Sequence, residues 1–458
     1  MNSPFIKTYP VDQSKLSLGE QKVLKKLIAA AQLVSPLYEA QKNQIDGASF
    51  YPSDASRQEL EQAAKKNPAI LSPYTFVKRN HAGKLAVVPY SQKFKKELKK
   101  IAVLVKEAAA ESHDQAFKDY LQARAEDLLK DNFDRSNALW LQASHSKIGC
   151  VIGPFDRDLD PLFFQKRSYK AYVGVLDERQ TQKMEGFRTM ILASQRKYFP
   201  GVKKAPISQV KIRVEDTAVL AGSDADSLFV SDNLPSSADL YLIKKHGMIS
   251  TVFKPVIEQR FSDWIFPIFE KLFPQDFQKR YPREELAKAF LLVSTFVEIC
   301  HSLLRYYDAA SRLQDFFPYF DEAYTEIFGI KVSELLFLKG ALNERELEAI
   351  TLVEICQGVY YLAFAKERPH LHSFATGYAA FFDFLFDEKA LEKDEKGFHL
   401  DFRRTFIIVD RFTHIFEYYL SSATRDEAKE FIGRFRPEEM LERFTFQVRK
   451  VSGKSRGG

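Results

Sequence analysis

A chain of 458 residues exceeds the roughly 250–300 residues that one hydrophobic core serves, so two lobes are expected. Hydrophobic residues make up 45% and charged residues 28%, which excludes a disordered, apolar-poor chain. The formal net charge of +6 comes from Lys and Arg interspersed with Asp and Glu, a pattern that argues against a dedicated nucleic-acid surface.

The N-terminus, MNSPFIKTYP, has no charged segment followed by a long apolar run, so the sequence as it stands carries no visible signal peptide and a cytoplasmic location is expected. A leader removed by processing would leave this segment unchanged. Residues 18–41 repeat apolar positions at Val23, Leu27, Ala30, Ala31 and Val34, the period of an amphipathic helix, and Ser17 can cap it. The segment SPYTFVKRNHAGKLAVVPYS reads as a β-hairpin around a polar HAGK turn. Helical patterns resume over 92–111, 115–130 and 135–144. The densest basic run, 93–100, sits on the first of these with apolar residues between its lysines, and reads as a solvated helix face.

Strand candidates fill the middle of the chain at 147–154, 168–176, 209–222 and 227–235. With the hairpin they are expected to close a small sheet or barrel. From Phe253 onward the pattern is helical and rich in Phe, Leu and Tyr, punctuated early by Pro255, Pro267, Pro274 and Pro282. The most apolar segment, 289–297, is ended by Glu298, short of the ~20 residues that span a bilayer, so no membrane partner is expected. The expected fold class is α+β and predominantly helical. An N-terminal lobe over 1–250 holds helices and a small β-barrel or sheet, and an all-helical lobe covers 251–450, with a loose tail over 451–458. Cys150, Cys300 and Cys356 are too few and too scattered for a disulfide framework or a Cys-rich zinc site. Walker, Rossmann and nucleophile-elbow strings are absent.

The sharpest feature is the helix LAKAFLLVSTFVEICHSLLRYYDAA followed by YFDEAYTEIFGI. In an H-E-x-x-H helix two His one turn apart hold zinc and the Glu between them is the general base. Here the string reads Val297-Glu298-Ile299-Cys300-His301, and the second segment supplies Asp321, Glu322 and Glu326. A valine cannot donate to a metal, and a Glu and a His three apart on an apolar helix are more often a satisfied core pair than a site.

The segments DGASFYPSDASRQELEQ, SPYTFVKR with AVVPYS, DNFDRSNALWL, CVIGPFDRDLD, YKAYVGVLDERQTQKM, IRVEDTAVLAGSDAD and VSDNLPSSAD, in this order and with the helix pair, resemble the short bacterial branch of the dipeptidyl peptidase III family of gluzincin zinc peptidases. The resemblance covers roughly residues 45–440. It implies two lobes, a helical one bearing zinc and one with a small β-barrel, with a cleft between them that binds an extended peptide. It makes Glu298 a vestigial general base, and His301 and Glu322 vestigial ligands, with Val297 at the first ligand position. The family's G-P-x-E-x-Y strand corresponds to Gly153-Pro154-Phe155-Asp156-Arg157-Asp158, which replaces the carbonyl-polarising Tyr by Asp158. Its N-L-P-N stretch survives as Asn233-Leu234-Pro235 and ends in Ser236. An E-A-H-G-R segment corresponds to His372-Ser373-Phe374-Ala375-Thr376, with His370 nearby. Substrate-facing positions are then Asp156, Asp158, Asn233 and His372. Losses in three separate segments imply a pseudopeptidase that holds peptides or a protein partner in the cleft without zinc or hydrolysis. The alternatives are an active hydrolase with a rebuilt metal site around Glu298, His301 and Glu322, and a structural protein whose cleft is filled by aromatic side chains.

Overall fold

The computed structural model describes residues 3–42, 50–157, 159–160, 162–163, 165–198, 210–235, 243, 245–303, 306 and 308–444. The chain is α+β, predominantly helical, and forms two units: Met1–Glu185 with Ser208–Val256, and Gly186–Ile207 with Ile257–Gly458. The expected tail at 451–458 lies outside the described residues.

In the first unit Ser17 caps the helix Leu18–Gln32: its hydroxyl accepts from the Glu20 amide at 3.2 Å, and its own amide donates to the Glu20 carboxylate at 2.7 Å. The helix buries Val23, Leu24, Leu27, Ala30 and Ala31. The single helix expected over 18–41 is instead two, because the chain restarts at Ser35–Lys42 around Pro36, which has no amide hydrogen for the ladder of the preceding helix. The three helices expected next are present as Lys95–Glu111, Gln115–Asp127 and Asp134–Gln142, each packed on its predecessor.

The strands are β1 (Ile6–Thr8), β2 (Thr75–Arg79), β3 (Leu85–Pro89), β4 (Ile148–Asp156), β5 (Ser168–Leu176), β6 (Val210–Gly222), β7 (Ser231–Leu234) and β8 (Met248–Phe253). β2 and β3 form the hairpin, with Gly83 at φ +72° in its turn. The hairpin remains a two-stranded sheet of its own and does not join the larger one, which runs β4-β5-β6-β8-β7 with β1 also on β6. β6 and β8 are parallel, and the other pairs are antiparallel. β4 is buried along its whole length and β5 over most of it, so both strands are covered on both faces. β1 and β8 were not anticipated. β1 has three residues, and the short apolar run of β8 cannot be told by periodicity from the helical region that follows it.

The second unit is built on the long helices Arg283–Leu303, Phe317–Leu338, Glu344–Phe364, His372–Asp387 and Phe402–Ser421. Phe317–Leu338 lies at the centre and packs against the other four. Glu344–Phe364 is long and apolar enough to cross a membrane by length and composition, but 94% of that window is buried inside the fold. A helix apolar on all sides is what a core position requires. A short hairpin, β9 (Leu391–Lys393) with β10 (Phe398–Leu400), is added to these helices.

Candidate functional site

The helix Arg283–Leu303 carries Val297, Glu298, Cys300 and His301, and the helix Phe317–Leu338, begun by Pro318 in its first turn, carries Asp321, Glu322, Thr325 and Glu326. Positions 297 and 301 lie one turn apart on one face. His301 Nε2 stands 3.9 Å from Glu322 Oε2 and 3.5 Å from Thr325 Oγ1. Thr325 is tied back to its own helix, with its hydroxyl on the carbonyls of Asp321 (3.0 Å) and Glu322 (2.9 Å). Val297 packs against Gly329 of the second helix. A Cβ placed on Gly329 would lie 3.2 Å from Val297 Cγ2 and 3.3 Å from Val293 Cγ2, so glycine permits this spacing. The position where a second imidazole would stand is thus part of an apolar helix contact.

Glu298 is buried, and its charge acts on Glu326, a member of a polar network that sequence reasoning did not find. Tyr361 donates to Glu326 at 2.9 Å, Gln357 Nε2 donates to Tyr361 at 2.7 Å, and Tyr378 donates to Glu354, whose carboxyl is hydrogen-bonded to Glu326. Burial, then the neighbouring Glu326, pushes the Glu354 carboxyl well above the usual carboxylate range. Burial also raises Glu326, while hydrogen bonds from Glu354 and Tyr361 and the charge of Arg260 oppose it. The Cys300 thiol is pushed up by burial and by Glu298 and Glu326, the opposite of what a nucleophile needs. One signal was available in the sequence: a lone Glu inside the apolar run TLVEICQGVYYLAF needs a partner.

The late segment begins the helix His372–Asp387. His372 is exposed and sets its ring edge against Tyr319 at 5.9 Å, one turn before Glu322. Phe374 stacks on Tyr361 at 4.8 Å, so this aromatic ring covers the carboxyl network. His370 is half-buried.

A second constellation lies in the first unit. Lys170, on β5, places its ammonium 2.7 Å from Asp232 Oδ1 and 2.9 Å from Asp224 Oδ1, and the charge of Asp156, at the end of β4, also acts on it. Asp224 reaches this point because Gly222 turns the chain at φ +68°, where a Cβ would meet the Tyr169 carbonyl oxygen at 2.3 Å. Burial pushes the Asp224 carboxyl up to about 7, with Lys170 opposing and Asp232 and Asp156 adding. The second oxygens of Asp224 and Asp232 are buried without a hydrogen-bond partner among the described residues. Next along β7, Asn233 accepts from the Ser250 hydroxyl through its amide oxygen. The expected positions Asp156 and Asn233 therefore flank one buried cluster, while Asp158 and Ser236 lie outside the described residues. Lys170, Asp224 and Asp232 were missed, although a charge inside the apolar strand SYKAYVGVL implies partners.

Zinc, which the resemblance implies, can be tested against these donors. Catalytic zinc takes three protein ligands, and position 297 supplies none, which leaves one imidazole and one carboxylate. Among the described residues no group of three His, Cys, Asp or Glu is arranged to hold a metal ion. Among the described residues, the donors on this helix face do not make up a zinc centre.

No family model matches the chain. It is similar to a protein described as Nudix hydrolase 3 from Arabidopsis thaliana, 21% identical over 405 residues, which are 80% of this chain and 51% of that protein. The chain thus spans about half the length of the curated relative it matches. Solved structures share its fold, two dipeptidyl peptidase III structures among them. A dipeptidyl peptidase III from Caldithrix abyssi matches with TM-score 0.84 at 20% identity, covering 96% of this chain and 95% of that one. A dipeptidyl-peptidase III from Corallococcus sp. strain EGB matches with TM-score 0.82 at 22% identity, covering 95% and 92%. At these identities the likeness shows the fold, which is that of dipeptidyl peptidase III.

Proposed function

We propose that this chain is a peptide-binding protein on a dipeptidyl peptidase III fold that has given up zinc-dependent hydrolysis. The observation that carries the proposal is Val297, packed against Gly329 one turn from His301. The face that would hold zinc offers two donors, and Glu298 has no metal-bound water to deprotonate. A rebuilt site with Glu326 as the extra ligand is the weaker reading, because Glu326 is already engaged by Tyr361 and Glu354.

Retained binding is supported by the Lys170 cluster. Two buried carboxylates share one ammonium, and among the described residues each keeps an oxygen without a hydrogen-bond partner, so above the raised Asp224 value of about 7 the cluster has negative charge to offer a second cation. A peptide's free amino group is such a cation, and the amide of Asn233 beside it can hold the backbone of an added strand. Calorimetry with short peptides tests this. Binding should weaken by about tenfold or more when the peptide amine is acetylated or when Asp232 is replaced by Asn, each a loss of ~1.4 kcal/mol. Equal affinity for free and acetylated peptides would remove the support for this site. Stoichiometric zinc with hydrolysis of dipeptidyl arylamides in the unmodified chain would overturn the pseudopeptidase reading itself.

A further inference from the structure

On the second unit, the helices Phe317–Leu338, Glu344–Phe364 and Phe402–Ser421 border an open groove of ≈ 540 Å³. Its wall from the last of these helices is partly apolar, with Phe402, Phe406 and Ile407 beside Arg403 and Asp410. Phe406 and Ile407 line it, and Ile407 is 66% exposed. Leu338, 65% exposed, lies one turn beyond the groove residue Glu334 on the same helix face. Apolar residues grouped along one groove, as Leu347, Phe402, Phe406 and Ile407 are here, mark an interaction surface more often than singly scattered ones do.

The charged residues lining this groove are mostly acidic. Glu334, Glu344, Glu348 and Asp410 line the groove against the single cation Arg403. Asp410 is paired with Lys331 at 2.6 Å and Glu348 with Arg280 at 2.8 Å, but neither Glu334 nor Glu344 has an ion-pair partner among the described residues. Glu334 is half-buried, and burial followed by the charge of Asp410 raises its carboxyl above the usual range, only partly opposed by the charge of Lys331. A carboxylate left partly dehydrated and unpaired gains when a cation arrives. The chain as a whole carries +6, so the acidic character belongs to this groove and not to the molecule.

We infer that this groove is a docking surface for a basic amphipathic helix of a partner protein, with Lys or Arg facing Glu334 and Glu344 and bulky apolar residues covering Phe406, Ile407 and Leu338. The mode is a helix laid in a groove, in which apolar anchors supply affinity and the charges fix orientation. It is independent of the peptide site on the first unit.

The probe is a fluorescent Leu–Lys amphipathic peptide of about 15 residues, helical by design, measured by anisotropy at about 150 mM salt. It should bind the full chain and bind about tenfold or more weaker to Ile407→Glu and, separately, to the double variant Glu334→Lys, Glu344→Lys. Glu126→Lys, an exposed acid on the first unit, should bind as the unmodified chain does. A Leu–Glu peptide of the same pattern should not bind. Both sets of substitutions lie at groove positions outside the core, and either suffices if the other fails to fold. No binding to the unmodified chain, or equal affinity across all variants, overturns the inference. A dimer that Ile407→Glu disperses, without peptide binding, would also overturn it by assigning the groove to a second copy of this chain.

Discussion

Lys170 shows how one charge organises the first unit and how it can be probed. An ammonium buried between Asp224 and Asp232 offsets their desolvation, so removing it leaves two carboxylates in the interior. Lys170→Met is expected to cost about 3–5 kcal/mol in urea unfolding near pH 8, the range for breaking a buried pair. The cost should shrink towards pH 5, because Asp224, already at about 7 with Lys170 in place, protonates more readily without it. A cost independent of pH would mean that Lys170 acts through packing alone. The lysine was visible in its strand as a charge among apolar neighbours. Its partners were not, since Asp232 follows 62 residues later and meets it only through the fold of the sheet. Val297 is the converse case: a five-residue string put a valine where the resemblance expects a donor, but its contact with Gly329 depends on how two helices cross.

At the scale of elements, three helices of the second unit are joined by the carboxyl network of Glu326, Glu354, Tyr361 and Tyr378. Folding raises the pKa values of Glu354 and Glu326, so the native state holds protons that the unfolded chain has released. Their contribution to stability is complete below the unfolded value of about 4.3 and is lost as pH rises through the native values. Glu354→Gln removes the most raised group while keeping an amide that can donate to Glu326. Its unfolding free energy should therefore fall less between pH 5 and pH 8, about one unit of slope being ~1.4 kcal/mol per pH unit per proton. Identical pH profiles for the two proteins would show that the pair does not titrate in this window. Long helices were legible because the 3.6-residue period extends over many turns, whereas the break after Gln32, the isolated hairpin and β8 depend on a proline, on sheet pairing and on a run of six residues. The network itself was hidden because Glu326, Glu354 and Tyr378 lie on three different helices.

At the scale of the whole molecule, ordered landmarks spread along most of the chain pointed to the dipeptidyl peptidase III fold, while the proposed loss of zinc rests on one face of one helix. Restoring a ligand is the direct test of that separation. In Val297→His a second imidazole joins His301 on one helix face, with Glu322 within 3.9 Å of the first, completing the His, His, Glu type of zinc set. The substitution adds bulk and polarity at the close contact with Gly329, so without metal the variant should be about 1–3 kcal/mol less stable. Zinc binding to the native state alone then raises stability, by ~2.7 kcal/mol at one hundred times the dissociation constant, and melting with and without zinc reads it. The unmodified chain should show no such shift. Hydrolysis of dipeptidyl arylamides should stay poor even in zinc-loaded Val297→His, because Phe374, stacked on Tyr361, has no hydrogen bond to offer a developing oxyanion. Elemental analysis of both proteins separates the outcomes. A Val297→His protein that ignores zinc would show that His301 and Glu322 do not form half of a metal site, whereas zinc binding with restored hydrolysis would mean that one side chain alone separates this chain from a peptidase.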